Sequence, residues 1–342
     1  MNRRELGVMA CLTVAACSVP RPSRSVEVSN PPPMPSLLLR EDAVLTRVGF
    51  GSCYVPQFEA GEVWDAITRS RPDAFLFLGD NVYQSEENGQ PELLELREAY
   101  ASLAADAWFA HLRATTPVLP TWDDHDYGMN DAGAEFSARK ESEALFKHVW
   151  DVRADDPRAG REGVYHHRLV GRPGARTQII VLDTRYFRTP IDMLGAAQWR
   201  WLEEVLNEPA DVRILASSIP VLSEVATGET WSKWPEERDR LLRILDRAGG
   251  VVIVSGDSHF GAHYELSEGL RGPLKELTSS SLNFPMPETA WLSPGPIDSA
   301  RVGAAHYPAN FGAISIDRGR RVAGLSLYDD RGEHVSSEHA FF

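Results

Sequence analysis

Short apolar segments that each end in polar residues are the feature that most limits what this chain can fold into. Five such segments stand out, over 44–50, 74–78, 117–122, 177–182 and 251–254. Apolar runs of this length are typical of buried strands. Stretches with apolar residues at helical spacing lie between or after them, over 61–70, 92–105, 138–149, 196–206 and 235–247. This alternation predicts an α/β fold.

The last third of the chain differs, because short strands follow one another there without helices. They are predicted over 262–266, 274–278, 313–316 and 322–328, after a further apolar strand over 212–217. We find no internal repeat and no second linker from residue 44 onward. The pattern predicts one domain over 44–342, built as a two-sheet β-sandwich flanked by helices.

The composition is that of a globular protein with a large core. The chain has 342 residues, of which 43% are hydrophobic and 25% charged, which excludes disordered, collagen-like and disulfide-stapled chains. Lys and Arg number 35 against 49 Asp and Glu, for a net charge of −14. An acidic protein repels a phosphate backbone, so we expect no nucleic-acid-binding surface.

The first residues are typical of an export signal. Arg3 and Arg4 precede a short apolar stretch, and the Val-Ala-Ala-Cys sequence that ends at Cys17 resembles a bacterial lipobox. We predict a signal peptide with lipobox over 1–17, a lipid anchor to the membrane on Cys17, and a periplasmic or outer-membrane lipoprotein. The alternatives are an uncleaved start or an ordinary secretory signal, and the protein is secreted if the lipobox is not used. Residues 18–43 are rich in proline without periodicity, which predicts an extended tether that does not pack.

One cysteine needs an explanation. The chain has three, and Cys11 and Cys17 both lie in the predicted signal. Cys53 is then a lone thiol in an exported protein. Such a thiol is either buried and inert or bound to a metal as thiolate.

Polar side chains with metal-binding potential follow five of the predicted strands. They are Cys53, Asp80, Asp124 with His125, Asp183, and Asp257 with His259. Ligands of open α/β sheets bind at the carboxyl ends of the strands, so we expect these side chains to converge. One thiol with several carboxylates and imidazoles is a donor set for a mixed metal site. Taken singly, each Asp can be a cap or turn residue, and each His a hydrogen-bonded core residue.

Five motifs occur in order along the chain. They are Gly51-Ser52-Cys53, Gly79-Asp80-Asn81-Val82-Tyr83, Trp122-Asp123-Asp124-His125-Asp126, Leu182-Asp183-Thr184-Arg185 and Ser255-Gly256-Asp257-Ser258-His259. Together they resemble the motifs of the PhoD-like alkaline phosphatases, a branch of the calcineurin-like metallophosphoesterases. The resemblance covers nearly all of the chain from Arg47 onward.

The resemblance implies a site for two metal ions. Cys53, Asp80 and Tyr83 correspond to ligands of Fe3+, with the tyrosine as phenolate. Asp80 corresponds to a carboxylate that bridges to a divalent ion, often Ca2+ in this family. Other divalent metals are the alternative.

Four further residues complete the implied metal ligands. Asp124 lies where related enzymes place a metal-binding Asn, and Asn130 is a candidate for the Ca2+ shell. Asp257 and His259 match the closing metal-binding motif. The preceding strand offers serines where calcineurin-like enzymes commonly have a His ligand, which argues against a di-zinc or di-manganese site.

The resemblance also implies the chemistry. His125 corresponds to a substrate-facing His that stabilises or protonates the leaving oxygen, and Arg185 would bind phosphate oxygens if it faces the cleft. The implied function is an exported metal-dependent phosphatase that hydrolyses small-molecule phosphate monoesters or diesters through a hydroxide activated by the metals. A phospholipase D-like phosphodiesterase, a non-catalytic metal-binding periplasmic lipoprotein and a metal-dependent hydrolase of carboxylic esters or amides remain as alternatives.

Overall fold

Two mixed β-sheets with helices against their outer faces make up the protein. The computed structural model describes residues 29–58, 60–84, 89–225, 228–291 and 298–342. The described strands are β1 (Arg47–Gly51), β2 (Ala74–Leu78), β3 (Val118–Thr121), β4 (His166–Val170), β5 (Thr177–Val181), β6 (Val212–Ser217), β7 (Val251–Ser255), β8 (Gly261–Leu266), β9 (Leu274–Ser279), β10 (Arg301–His306), β11 (Asn310–Asp317), β12 (Val322–Asp329) and β13 (His334–Phe341). The described helices are α1 (Gly61–Ser70), α2 (Leu94–Ala105), α3 (Ala107–Thr115), α4 (Asp124–Tyr127), α5 (Arg139–Val149), α6 (Gly195–Val205), α7 (Pro235–Ala248) and α8 (Glu288–Trp291). The predicted α/β sandwich is confirmed.

Each sheet contains a run of adjacent parallel strands. The first sheet has the order β13-β12-β11-β1-β2-β3, with β1, β2 and β3 parallel to one another. The second has the order β10-β8-β9-β7-β6-β5-β4, with β5, β6, β7 and β9 parallel. In the first sheet the antiparallel strands lie on one side of this run and β3 is the other edge, whereas in the second sheet antiparallel strands lie on both sides. The carboxyl ends of the parallel strands in one sheet therefore lie at one edge of that sheet.

Apolar side chains fill three layers. Leu76 of β2 and Val254 of β7 belong to the layer between the sheets. Phe77, its neighbour in β2, points the other way, against Trp64 of α1 at a ring-centroid distance of 5.8 Å. Leu215 of β6 belongs to the third layer, against α6 and α7. Because these strands are buried on both faces, they read as continuous apolar runs in the sequence.

Several elements depart from the sequence expectation. α3 was not predicted, although Asp106 marks its start: the carboxylate accepts hydrogen bonds from the N–H groups of Trp108 (2.8 Å) and Phe109 (3.1 Å). β10 and β13 were not predicted either, because both are edge strands with many exposed residues and weak apolar alternation.

The prediction of an unpacked tether is wrong for residues 29–43. Met34 is 1% exposed, lies in the layer between the first sheet and its helices, and donates its N–H to the carbonyl of Val149 at 2.6 Å. The N–H of Leu37 likewise bonds the carbonyl of Arg113 at 3.0 Å. Burial of Met34 and these backbone hydrogen bonds dock the proline-rich segment on the domain. The predicted signal, including Cys17, and residues 18–28 lie outside the described residues. Within the described ranges, no helix has the length and apolarity needed to cross a membrane.

Candidate metal centre

Asp80 lies in the turn that follows β2, and tight packing determines that turn. Gly79 has a φ of +92°, and a Cβ atom there would lie 2.7 Å from the backbone nitrogen of Asp123. The carboxylate of Asp126 accepts hydrogen bonds from the N–H groups of Asp80 (3.1 Å) and Asn81 (3.3 Å). Only glycine fits before Asp80, because a side chain there would meet both a clash and an unfavourable φ.

A thiol, a phenol and an imidazole gather around Asp80. Oδ2 of Asp80 lies 3.5 Å from Sγ of Cys53 and accepts a 2.7 Å hydrogen bond from the hydroxyl of Tyr83. The same hydroxyl lies 3.3 Å from Nε2 of His259. Donor atoms of Cys53, Asp80 and His259 all lie within 4.8 Å of one another, so these three side chains can share one cation.

Carboxylates extend the cluster on another side. Donor atoms of Asp80, Asp124 and His125 lie within 4.8 Å of one another, and so do those of Asp123, Asp124 and Asp257. Asp80 and Asp124 follow strands of the first sheet, whereas Asp257 follows β7 of the second. Asp80 thus belongs both to the group with Cys53 and His259 and to the group with Asp124 and His125, as a carboxylate that bridges two cations would.

Crowded and unpaired carboxylates show that a cation fits here. Oδ1 of Asp80, Oδ2 of Asp123 and Oδ1 of Asp124 are buried without a hydrogen-bond partner among the described residues. Burial, together with the charge of Asp124, raises the pKa of Asp80 to about 8. Burial and then Asp123 raise the pKa of Asp257 well above its usual range. Buried anions in such numbers need compensating positive charge, and hard oxygen donors suit metal ions.

The backbone at the ligands is unusual. Cys53, Asp80, Asp257 and His259 all have positive φ, at 57°, 48°, 69° and 57°. Non-glycine residues in this region are uncommon, and bulky ones persist only where the surrounding structure holds them. Their concentration at one cluster is typical of a functional site.

Hydrogen bonds orient His259 towards the cluster. Its Nδ1 lies 2.7 Å from the carbonyl oxygen of Phe284, and its backbone N–H donates to Oγ of Ser280 at 2.6 Å. A ring N–H that donates to a carbonyl leaves the other nitrogen free to bind a metal. Burial lowers the pKa of His259, which also favours the neutral, ligating form.

Arg185 lies behind the carboxylates rather than in the cavity. Its side chain is fully buried, and its Nε donates to Oδ1 of Asp123 at 2.6 Å. Nη2 lies 2.5 Å from Oε2 of Glu229 and 3.7 Å from Oδ1 of Asp124. Burial alone would raise the pKa of Asp124, but Arg185 and His125 outweigh it and hold that pKa below its usual value. The condition set for phosphate binding, that Arg185 faces the cleft, is therefore not met in this structure.

His125 is half-buried and faces the cavity. Its ring lies 4.3 Å from the ring of Tyr83, and its carbonyl accepts a 2.9 Å hydrogen bond from Nε2 of Gln84. Nε2 of Gln84 also donates to the carbonyl of Gly128 at 2.5 Å. Gln84 therefore supports α4, which carries His125.

A cavity of about 630 Å³ opens over the cluster. Asp80, Asp124, His125, Asp257 and His259 line it. Asn130 is exposed and lines the same cavity, next to Asp131, whose N–H donates to Oδ2 of Asp124 at 2.9 Å. The structure thus brings together the proposed ligands from both sheets, while their roles as ligands remain predictions.

Sequence reasoning assigned no role to three carboxylates of this region. Asp123 and Asp126 stand in a quoted motif, but the short helix α4 decides which acidic residue faces which way, and four residues show no periodicity. Glu229 lies in a loop after no strand and in no motif, so the sequence holds no signal for it.

The fold and the cluster define the class of protein. The two mixed sheets form a metallophosphoesterase-like fold, and the Cys-Asp-His cluster lies at the carboxyl ends of their parallel strands. Residues 48–317 match the model of the PhoD-like phosphatase family, and the chain belongs to that family.

Individual relatives are distant. The chain is 24% identical over 267 residues to alkaline phosphatase D of Bacillus subtilis (strain 168). The match covers 61% of this chain and 45% of that protein. The chain therefore spans about half the length of the curated relative it matches. Among solved structures it is similar to PhoD (TM-score 0.68, 16% identity, 90% of this chain and 69% of that chain). It is also similar to the purple acid phosphatase PPD1 from yellow lupin (Lupinus luteus) seeds (TM-score 0.65, 12% identity, 89% of this chain and 55% of that chain). At these identities the structures show a shared fold alone.

Proposed function

We propose that this chain is an exported, metal-dependent phosphatase that hydrolyses small-molecule phosphate monoesters or diesters. The observation that carries the proposal is the shared position of Asp80, whose donor atoms belong both to the group with Cys53 and His259 and to the group with Asp124 and His125. A carboxylate common to two ligand groups suits two neighbouring cations. Membership of the PhoD-like phosphatase family supports a phosphate ester as substrate.

We assign the two cations as Fe3+ and Ca2+. Cys53, Asp80 and Tyr83 would hold Fe3+, because a trivalent ion favours anionic thiolate, carboxylate and phenolate donors. Asp80, Asp124 and Asn130 would serve Ca2+, which takes oxygen ligands, and Asp257 and His259 would complete the centre. When bound, the metals supply positive charge to the phosphate and lower the pKa of a water molecule.

The chain's own residues would orient the ester and move the proton. His125 lines the cavity beside Asp80 and Asp124, so its ring can donate a proton or hydrogen bond to the leaving oxygen. Arg185 would act on the carboxylates, since it keeps Asp124 ionised from behind. We class Arg185 as a positioning residue.

Elemental analysis with a phosphatase assay tests this function. We expect the purified protein, produced with iron and calcium available, to carry near-stoichiometric iron with calcium. It should hydrolyse p-nitrophenyl phosphate, bis-p-nitrophenyl phosphate or both, and the ratio of the two rates separates monoester from diester preference. Asp80→Asn and Cys53→Ala should each bind less iron than the wild type, and their kcat should fall by at least about 100-fold. Asp65→Asn, which changes a half-exposed carboxylate of α1, is the matched control. Full activity in both ligand variants would refute the assignment.

Export and lipid attachment need their own test. The predicted lipobox supports a lipid on Cys17, which would hold the domain at a membrane. In a bacterial host, the wild type should fractionate with membranes and incorporate labelled fatty acid. Cys17→Ala should do neither. A wild type found only in the cytoplasm would contradict export.

A further inference from the structure

Two buried guanidinium groups converge on one carboxylate in the cavity wall. Nη2 of Arg185 lies 2.5 Å from Oε2 of Glu229, and Nη1 of Arg188 lies 2.7 Å from Oε1. The three side chains are between 0% and 6% exposed, and Glu229 lines the cavity. Each carboxylate oxygen of Glu229 therefore faces a different arginine.

Other contacts hold both arginines in place. Arg185 is bonded to Asp123, as described above. Nη2 of Arg188 donates to the carbonyl oxygens of Asp131 and Ala132, and its guanidinium lies over the ring of Trp234 at 5.2 Å. Loss of the Glu229 side chain would thus leave two oriented guanidiniums facing an open position. Paired, oriented guanidiniums are a good receptor for phosphate or carboxylate.

This position adjoins the metal centre. A single nitrogen, Nη2 of Arg185, contacts Glu229 and lies 3.7 Å from Oδ1 of Asp124. Glu229 lines the same cavity as Asp80, Asp124 and Asp257, so a substrate with its phosphate at the metal centre would share that cavity with Glu229.

We propose that Glu229 is a specificity-determining residue, which occupies the anion position between Arg185 and Arg188 and excludes esters with a second anionic group. The inference rests on the proposed phosphatase function. A carboxylate already in this position neutralises both arginines and would meet a second anion of the substrate with like charge. The preferred substrates are then phosphate esters whose remaining part is uncharged or cationic.

Matched substrates test the proposal. We would compare 3- and 4-carboxyphenyl phosphate with 3- and 4-carbamoylphenyl phosphate, which differ in charge but hardly in size. For each protein the readout is the ratio of kcat/KM for the carboxylate to that for the carboxamide. Comparison between proteins cancels the difference in leaving-group quality.

The variants separate charge from space. Glu229→Ala opens the position and should raise the ratio by about tenfold. Glu229→Gln removes the charge but keeps the volume, so its ratio should rise less than that of Glu229→Ala. If the alanine variant does not fold, the glutamine variant tests the proposal in its place. Glu229→Ala combined with Arg188→Ala should lose most of the gain. Asp131→Asn is the control, because it removes a cavity-lining carboxylate that has no ion pair among the described residues. Its ratio should stay near that of the wild type.

Equilibrium binding gives a readout that does not depend on turnover. The carboxybenzyl and carbamoylbenzyl phosphonates should show the same change in their ratio of Kd values. An unchanged ratio in both Glu229 variants, or an equal rise in Asp131→Asn, would overturn the proposal. If the wild type hydrolyses neither type of ester, the proposed function fails, and the phosphonate ratios still decide the role of Glu229.

Discussion

The hydroxyl of Tyr83 donates a 2.7 Å hydrogen bond to Oδ2 of Asp80. This bond requires a protonated phenol, and burial with the charge of Asp80 raises the pKa of Tyr83 well above its usual range. Binding of a trivalent cation would release that proton. The phenolate of Tyr83 and the carboxylate of Asp80 could then both bind the same cation. The contact between Tyr83 and Asp80 is therefore a direct place to test the iron assignment.

Tyr83→Phe should weaken iron binding by about 10- to 100-fold and abolish any visible phenolate-to-iron absorption band. The variant keeps the ring and loses one hydrogen bond, so its fold should persist. Tyr127→Phe is the control, since that buried hydroxyl donates to the carbonyl of Gly133 at 2.8 Å and lies outside the ligand groups. Metal titration followed by absorption measures both. An unchanged band in Tyr83→Phe would remove the tyrosine from the ligand set.

Gly79→Ala should destabilise the protein more than Gly174→Ala. Both glycines have positive φ, at +92° and +81°, so both changes introduce strain, of about 1 kcal/mol. Only at position 79 does the new Cβ clash, at 2.7 Å from the nitrogen of Asp123, while nothing lies within 4 Å at position 174. We expect a further loss of about 1–3 kcal/mol for Gly79→Ala in urea unfolding. Equal losses would show that the turn can move.

His263 should make stability depend on pH. Burial lowers its pKa from 6.5 to about 4, so the unfolded chain binds this proton more readily than the folded protein. This contribution to the unfolding free energy is fully present above pH 6.5 and is lost as the pH falls towards 4. The loss should be on the order of 1–3 kcal/mol. His263→Gln should flatten the slope of unfolding free energy between these pH values. Parallel curves for the two proteins would exclude His263 as the source.

Met34→Ala should lower the unfolding free energy by about 2–4 kcal/mol, because the side chain is fully buried against the helices. Leu38→Ala is the control, since Leu38 is 71% exposed and its loss should change stability by less than about 0.5 kcal/mol. Thermal or urea unfolding measures both. If both variants match the wild type, residues 29–43 do not contribute to the domain's stability.

The sequence was most informative where burial leaves a simple pattern. β2 reads as an apolar run because Leu76 and Phe77 enter two different apolar layers. Motif order then located Asp80 and Asp257 at the right strand ends. Glu229 and Met34 were missed because their importance depends on tertiary contacts, with two arginines in one case and an apolar layer in the other. The position of Arg185 behind the carboxylates likewise depends on Asp123 and Glu229, which lie elsewhere in the chain.

The proposed ligands come from both sheets, with Cys53 and Asp80 after strands of the first and Asp257 and His259 after a strand of the second. About 200 residues separate these pairs, so the ligand set exists only after the two halves of the chain have docked. A cation bound by both pairs would act as a cross-link between the sheets. Metal uptake should then be a late step of folding, and chelation should expose the seam between the sheets to proteases before either sheet unfolds.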